Sequence, residues 1–280
     1  MRRVWILLLA SAGVLAAHLP HRAHAQSIWM TREGRDVSMI EFLHPSEDFV
    51  DTDTFNGAYF LSGRVRISPS LTFVDQVPFA SHHAVRTFYD YQLNGFVTGD
   101  VKESGVGNIY LGVEGTRPES RIFGEAGLRL PLASGEKLFA ADQGVIADVR
   151  RSQAFFPKTI SFEGAVNFVS EAASPLTYRL RLNPILEYDR NSSSSRLSGS
   201  YSGQVGYRIS AVRVGAAISG RMQITNYPSG PLPGRTQNQL ELHSDFLSGP
   251  IRPGFEAKIP LGDWGQGLGT VVGASLTWIR

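Results

Sequence analysis

Two adjacent histidines, His82 and His83, could do chemistry, because imidazole titrates near neutral pH and binds metals. The aromatic residues Phe88, Tyr89 and Tyr91 follow them. One interpretation is an aromatic lip that captures an apolar solute, with the histidines as a pH-sensitive or metal-binding element. The other is an extracellular loop with a small cluster of its own. No carboxylate stands at ligand spacing beside the histidines, so we expect no metal and no cofactor.

A second candidate is His243 with its neighbour Ser244, since a serine esterase needs such a pair. In a strand, successive side chains point to opposite faces, and the two therefore cannot form a dyad. His243 instead shares its face with Glu241 and Asp245. The sequence has neither a Gly-x-Ser-x-Gly elbow nor a His-Glu-x-x-His motif. We expect no catalytic residues and no enzyme, with an outer-membrane lipase as the less favoured alternative.

These polar residues belong to long alternating segments. Between Leu176 and Tyr188 the even positions are apolar, whereas the odd ones include Arg179, Arg181 and Glu187. Segments 196–210 and 211–225 repeat this pattern. Period two indicates strands with one apolar face. The segments are longer than the five or six residues of typical globular strands, and such length with alternation is typical of a transmembrane β-barrel.

We predict an all-β fold, an antiparallel up-and-down transmembrane barrel of about 12 strands. The strands are expected at 35–44, 54–67, 70–80, 107–117, 120–133, 158–169, 175–189, 196–210, 211–225, 235–248, 251–262 and 268–279. Long connections after odd-numbered strands alternate with tight ones, as the two rims of such a barrel require. Two segments fit less well. Segment 35–44 has no clear apolar face, and Asp75 falls on the lipid face of 70–80, which suggests a bulge or a wrong register.

The polar face carries arginines and carboxylates in near balance, which suits a lumen where charges pair. The residues expected to line the lumen are Arg64, Arg66, Glu125, Arg129, Glu163, Arg179, Arg181, Glu187, Arg208, Arg213, Arg221, Glu241, His243 and Asp245. A soluble barrel would instead turn its apolar face inward. Strand length and the rhythm of loop lengths favour lipid outside.

The connection from Ser134 to Pro157 has apolar residues at near-helical spacing, including Leu138, Ala141 and Val145. This predicts a short helix. It either folds into the mouth and narrows it or lies on the surface of the outer loop.

The N-terminus resembles an export signal. Arg2 and Arg3 precede an apolar run, and Ala23 and Ala25 form an A-x-A cleavage site, so we expect a signal peptide at 1–25 and the barrel at 26–280. No later apolar run reaches the ~20 residues of a transmembrane helix. The sequence has no cysteine, and its net charge of +2 comes without a basic run. Nucleic acid is therefore not an expected partner.

Two stretches carry a resemblance: FLSGRVRISPSLTFVDQVPFA at 60–80, and GNIYLGVEGTRPESRIFGEAGLRLPLASGE with FFPKTISFEGAVNF between Gly107 and Phe168. They resemble the outer-membrane β-barrel family of transporter-like or meta-pathway phenol-degradation proteins, which is related to channels for hydrophobic compounds. The resemblance implies passage of small molecules, aromatic ones included, and supplies no catalytic motif.

We therefore expect a passive channel or binding pore in the bacterial outer membrane. A structural or sensory closed barrel without transport is the alternative. The expected partners are outer-membrane lipid, a small-molecule solute and, during biogenesis, the barrel-assembly machinery and periplasmic chaperones.

Overall fold

The computed structural model describes residues 36–46, 56–90, 95–115, 120–170, 174–225, 236–262 and 269–279. The expected signal peptide at 1–25 and Tyr91 lie outside these ranges. For Phe88 and Tyr89 the description covers the strand backbone and not the side chains.

Twelve antiparallel strands close into a barrel, because the first strand pairs with the last strand on one edge and with the second strand on the other. A further strand lengthens one hairpin. The strands are β1 (Val37–Pro45), β2 (Gly57–Ser68), β3 (Leu71–Asp90), β4 (Gly95–Val106), β5 (Ile109–Gly115), β6 (Ile122–Leu130), β7 (Thr159–Val169), β8 (Leu176–Asp189), β9 (Ser194–Ile209), β10 (Val212–Gln223), β11 (Thr236–Phe246), β12 (Ile251–Leu261) and β13 (Val271–Ile279). The predicted fold class and strand order are confirmed.

Region 81–106, predicted as a long loop, is largely a β-hairpin, and that prediction was wrong. Strand β5 pairs with the first part of β3, from Leu71 to Gln76, and β4 pairs with the rest, from Phe79 to Asp90. Inward burial continues at every second residue of β3 as far as Ala84. The strand therefore continues past the position where the aromatic run suggested a loop.

The connection between β6 and β7 lies inside the barrel. Helix α1 (Leu138–Ala147) leads into a 3₁₀ helix (Val149–Phe155), every residue of which is buried. Helix α1 packs against β1, β2 and β3, and the 3₁₀ helix reaches β10 and β11. We call residues 138–155 the plug. Of the two positions that the sequence left open for this helix, the inward one is correct, although Leu138 itself is exposed.

Inner and outer faces alternate as the pattern predicted. On β8 the outward Leu180 and Leu182 are 55% and 65% exposed, whereas Arg179 and Arg181 are 6% and 4% exposed. A closed ring leaves its strands no free edge, and an apolar outer surface can then contact acyl chains. No helix among the described residues is long and apolar enough to cross a membrane.

The two weak segments have separate explanations. Asp75 opposes Gly63 in regular register, and the register shift lies between Arg66 and Ser68, so the suggested bulge is not at Asp75. Strand β1 shows no clear apolar face in the sequence because both of its faces carry apolar side chains and Glu41 interrupts the inner one. Met39 is buried inside the barrel, while Ile40 is exposed on the outside.

Candidate functional site in the barrel lumen

One side of the lumen is apolar, and the plug rests on it. Strands β1, β2, β3 and β13 present small and aliphatic side chains together with one aromatic ring, and α1 with the 3₁₀ helix contributes mostly alanines. This cluster consists of Leu43, Ala58, Phe60, Ala80, Ala140, Ala147, Ala154, Phe155 and Val271. The rings of Phe60 and Phe155 meet edge to face with centroids 5.7 Å apart. Burial of apolar surface therefore contributes to holding the plug.

Arg151 ties the plug to the first strand of the barrel. Its Nη1 and Nη2 atoms donate to the two carboxylate oxygens of Glu41, at 2.8 and 2.6 Å. Its Nε donates to Asp148 at 2.9 Å, and its guanidinium carbon lies 3.6 Å from the centroid of the Phe60 ring. A bidentate pair of this kind fixes orientation as well as charge.

Lys258 on β12 makes a second ionic contact with the plug. Its Nζ lies 2.9 Å from Oδ2 of Asp148, 3.5 Å from Glu256 and 3.9 Å from Glu41. Burial alone would raise the pKa of Asp148, but the positive charges of Arg151, Lys258 and Arg150 outweigh burial and hold this pKa well below its usual range. Asp148 is therefore a carboxylate under ordinary conditions.

The 3₁₀ helix also contacts the opposite wall. Nη1 of Arg221 donates to Ser152 at 2.6 Å and to Gln153 at 3.0 Å. Gln153 donates to Glu163 at 3.1 Å, and the side chain of Asn108 donates to the Gln153 carbonyl at 3.1 Å. The plug thus spans the lumen from β1 to β7 and β10.

Most residues expected to line the lumen are buried inside the barrel, where carboxylates cross-link the arginines. The pairs are Arg64–Glu114 at 2.5 Å, Arg129–Glu163 at 2.5 Å, Arg181–Glu125 at 2.8 Å, Arg221–Glu187 at 2.6 Å and Arg213–Asp245 at 3.3 Å. Arg179 and Glu241 are buried as well.

Arg66 and Arg208 depart from that expectation, because their side chains are exposed. Each stands close to the end of its strand, where β2 and β9 reach the tight turns. Alternation places them on the inner face, but the rim of the barrel leaves both in contact with solvent.

The esterase alternative lacks a dyad in the structure. His243 is half-buried and hydrogen-bonds through Nε2 to the side-chain amide of Gln204 at 2.9 Å. Ser244 opposes Val214, whose side chain is exposed on the outer face. The two residues thus occupy opposite faces of β11.

The two adjacent histidines, His82 and His83, have different surroundings in the structure. His82 is buried and stacks on Phe139 of α1, with ring centroids 5.5 Å apart. The Nε2 of His83 lies 2.7 Å from Asp100 on β4, and its backbone N–H donates to the side chain of Asn56. Among the described residues no group of three or more His, Cys, Asp or Glu could hold a metal ion. The part of the expected aromatic lip that the structure describes belongs to the β3–β4 hairpin, which contacts the plug where His82 stacks on Phe139.

Among the groups that hold the plug, sequence reasoning missed Glu41, Asp148 and Arg151. Glu41 lies in the strand whose pattern was unclear. Asp148 and Arg151 lie in a connection to which strand alternation does not apply. An acid followed closely by two arginines within an apolar stretch is the signal that could have indicated a buried ion-pair cluster.

No protein-family model matches the sequence, and a search of curated proteins finds no similar sequence. The structure is similar to an outer membrane channel from Pseudomonas putida F1, with a TM-score of 0.55 and 11% identity over 94% of this chain and 100% of that chain. It is less similar to LpxR from Salmonella typhimurium, with a TM-score of 0.46 and 8% identity over 87% of this chain and 100% of that chain. A Pseudomonas aeruginosa FadL homologue gives a TM-score of 0.44 and 11% identity over 87% of this chain and 75% of that chain.

At these identities the likeness shows the fold. The chain has the fold of bacterial outer-membrane β-barrels, and its outer surface carries an apolar belt.

Proposed function

We propose that the protein is a passive outer-membrane channel for small molecules and that residues 138–155 close it. The observation that carries this proposal is that one contiguous segment between β6 and β7 fills the inside of a barrel whose strand ring closes without it. The wall therefore does not need the plug for its backbone hydrogen bonds. Displacement of the plug would leave a conduit lined by charged side chains.

The apolar side of the lumen supports hydrophobic or aromatic solutes, the class that the meta-pathway resemblance implies. Beyond the cluster under the plug, this side carries two smaller apolar clusters, Met39 with Val74 and Tyr110, and Val37 with Ile279. The buried polar residues Glu41, Ser62 and Gln76 separate the first of these from the cluster under the plug. Each cluster offers an apolar ring a contact surface inside the barrel. The charged side opposite would remain hydrated.

The rival is a closed structural or sensory barrel, which the dense pairing of lumenal charges favours. Single-channel conductance and liposome swelling separate the two functions. Protein lacking the proposed signal peptide at 1–25 would be refolded in lipid, with and without a radiolabelled aromatic solute outside the vesicles. A channel passes ions or solute. Absence of both with the plug present and with it removed would overturn the proposal.

Arg179 and Arg213 test whether the conduction path is the lumen. Both are buried inside the wall on neighbouring parts of β8 and β10. Replacing both with glutamine removes two positive charges from the path, so that the preference for anions over cations should fall. The matched control is Arg190→Gln, because Arg190 is exposed at the turn after β8.

We also propose that the protein has no lipase activity, since His243 and Ser244 lie on opposite faces of β11. The same refolded preparation is assayed with an ester substrate. We expect no turnover above a protein-free control, and turnover by the wild type would overturn the proposal, whether or not it survives His243→Ala.

A further inference from the structure

Seven charged side chains meet where the plug contacts β1, β11 and β12. They are Glu41, Asp148, Arg150, Arg151, Glu241, Glu256 and Lys258. Four carboxylates thus face three cations. If all were ionised, this cluster would carry a formal charge of −1. Six of the seven side chains are buried and that of Glu256 is 19% exposed, so water screens an unbalanced charge here only in part and the charge is costly.

The side chain of Glu256 indicates where the imbalance is resolved. It lies across Gly273 of β13, because a Cβ atom at Gly273 would come within 2.7 Å of Cγ and 3.0 Å of Oε1 of Glu256. The glycine lets Glu256 extend over β13 toward β1. There Lys258 approaches both carboxyl groups, with its Nζ 3.5 Å from Oε2 of Glu256 and 3.9 Å from Oε1 of Glu41. Two carboxylates that share one cation repel each other when both are ionised, which favours a proton on one of them.

The other elements around this pair supply the charges that surround it. Among the described residues, β11 contributes Glu241 and His243, β12 contributes Lys258, and the plug contributes Asp148, Arg150 and Arg151. The β2 side presents the ring of Phe60. His243 opposes Glu256 in the β11–β12 register, so protonation of this imidazole at acid pH adds positive charge to the wall.

We propose that Glu41 and Glu256 form a proton-binding site and that its occupancy sets how tightly the plug is held. The plug carries a charge of +1 from Arg150, Arg151 and Asp148. The wall groups Glu41, Glu241, Glu256 and Lys258 together carry −2 when ionised, −1 with one bound proton and 0 with two.

The attraction between wall and plug therefore falls as pH falls, and acid releases the plug. The proton site stands on the geometry of the cluster. The step from plug release to channel opening rests on the proposed function.

A distance measurement on the full chain tests the site directly. The sequence has no cysteine, so two introduced cysteines give unique spin labels. Leu138→Cys on the plug and Ser192→Cys in the β8–β9 turn are suitable because both side chains are exposed. Pulsed electron resonance on the refolded barrel should show a narrow distance distribution at alkaline pH. Acidification should broaden it and shift it to longer distances.

Glu256→Gln keeps the size and polarity of the side chain but cannot titrate. At neutral pH its distance distribution should match that of the wild type. At alkaline pH the wild-type distribution should narrow further, whereas that of the variant should not. The matched control is Glu114→Gln, which removes a buried lumenal carboxylate that contacts Arg64. This control should respond to pH as the wild type does. An unchanged response in Glu256→Gln would overturn the proposal.

An infrared measurement on the wild type does not depend on how the variant folds. The carbonyl stretch of a protonated carboxyl group should be present at neutral pH and should vanish at alkaline pH, and its absence at neutral pH overturns the site. Conductance recorded on the same samples separates the two proposals. If the distance changes with pH but no conductance is recorded, the proton site stands and the channel is refuted. If conductance is recorded but neither it nor the distance depends on pH, the proton site is refuted and the channel stands.

Discussion

The guanidinium group of Arg151 and the carboxylate of Glu41 form a two-bonded ion pair across 110 positions of the sequence, at 2.8 and 2.6 Å. Their side chains are 3% and 2% exposed. One residue belongs to the plug and the other to the first strand of the wall. The hold on the plug therefore depends on a contact between the middle and the beginning of the barrel sequence.

Arg151→Met should release the plug and raise the mean single-channel conductance. The change keeps much of the side-chain volume over Phe60 but leaves Glu41 and Asp148 with less positive charge. Removing one partner of a buried pair costs roughly 3–5 kcal/mol. Arg190→Met, at an exposed turn, is the control and should conduct as the wild type does. If Arg151→Met folds correctly and its conductance does not exceed that of the wild type, the ion pair does not hold the plug.

Replacing the plug with a tight turn should open the barrel without unfolding it. Arg129 on β6 opposes Ser161 on β7, so a hairpin turn can join these two strands directly. The charged groups that faced the plug then contact water in the lumen. We expect heat-modifiable migration on a gel to persist and conductance to rise. Loss of the folded band in the unheated sample would mean that the plug is part of the folding core.

Asp148 predicts an acid-sensitive plug. Its pKa is held well below the usual range by Arg151, Lys258 and Arg150, against the effect of burial. A group whose pKa is lowered by folding stabilises the folded state above its ordinary pKa of about 4, and this contribution is lost as pH falls toward the lowered value. Midpoint temperatures of plug release should therefore drop in acid. In Asp148→Asn this part of the pH dependence should disappear, and an identical acid response would contradict the assignment.

The alternation of apolar and polar residues predicted the strands of the barrel wall well, because the face on which a strand residue lies depends only on its position along that strand. On β8, successive side chains lie alternately on the outer face and in the lumen, as the apolar Leu182 and the charged Arg181 show. The same rule placed Arg64, Glu125 and Glu163 inside. Their partners could not be paired from sequence, because Arg64 and Glu114 meet through the order of strands in the sheet.

The plug was the part that alternation could not place. A helix such as α1 with alanines and glycines on its buried face gives little contrast between faces, and Leu138, which the spacing placed on the apolar side, is exposed. Whether such a helix lies inside or outside depends on the space in the barrel and on charges from distant strands, among them Glu41 and Lys258. The β3–β4 hairpin was missed for a related reason: His82 and His83 interrupt the hydrophobic pattern while the backbone pairing continues.

Gly127→Ala should destabilise the barrel by roughly 1–3 kcal/mol, because overpacking forces a neighbour to move. A Cβ atom at this position would lie 2.3 Å from ring atoms of Tyr110, whose hydroxyl donates to Glu125 at 2.7 Å. Urea-induced unfolding in lipid measures the loss. Gly164→Ala is the matched control, since its Cβ would meet nothing within 4 Å. Equal stability of the two variants would mean that Tyr110 moves aside at no cost.

Leu182→Arg tests the orientation of the whole wall. Leu182 is 65% exposed and stands near the middle of β8, on its outer face. An arginine facing lipid near the bilayer midplane costs about 2–4 kcal/mol, whereas the same residue in water costs little. Unfolding free energies in lipid vesicles measure this difference, with Ser192→Arg at an exposed turn as the control. If Leu182→Arg were as stable as the control, and the protein stayed soluble without detergent, the leucine face would contact water and the lumen would no longer be enclosed by lipid.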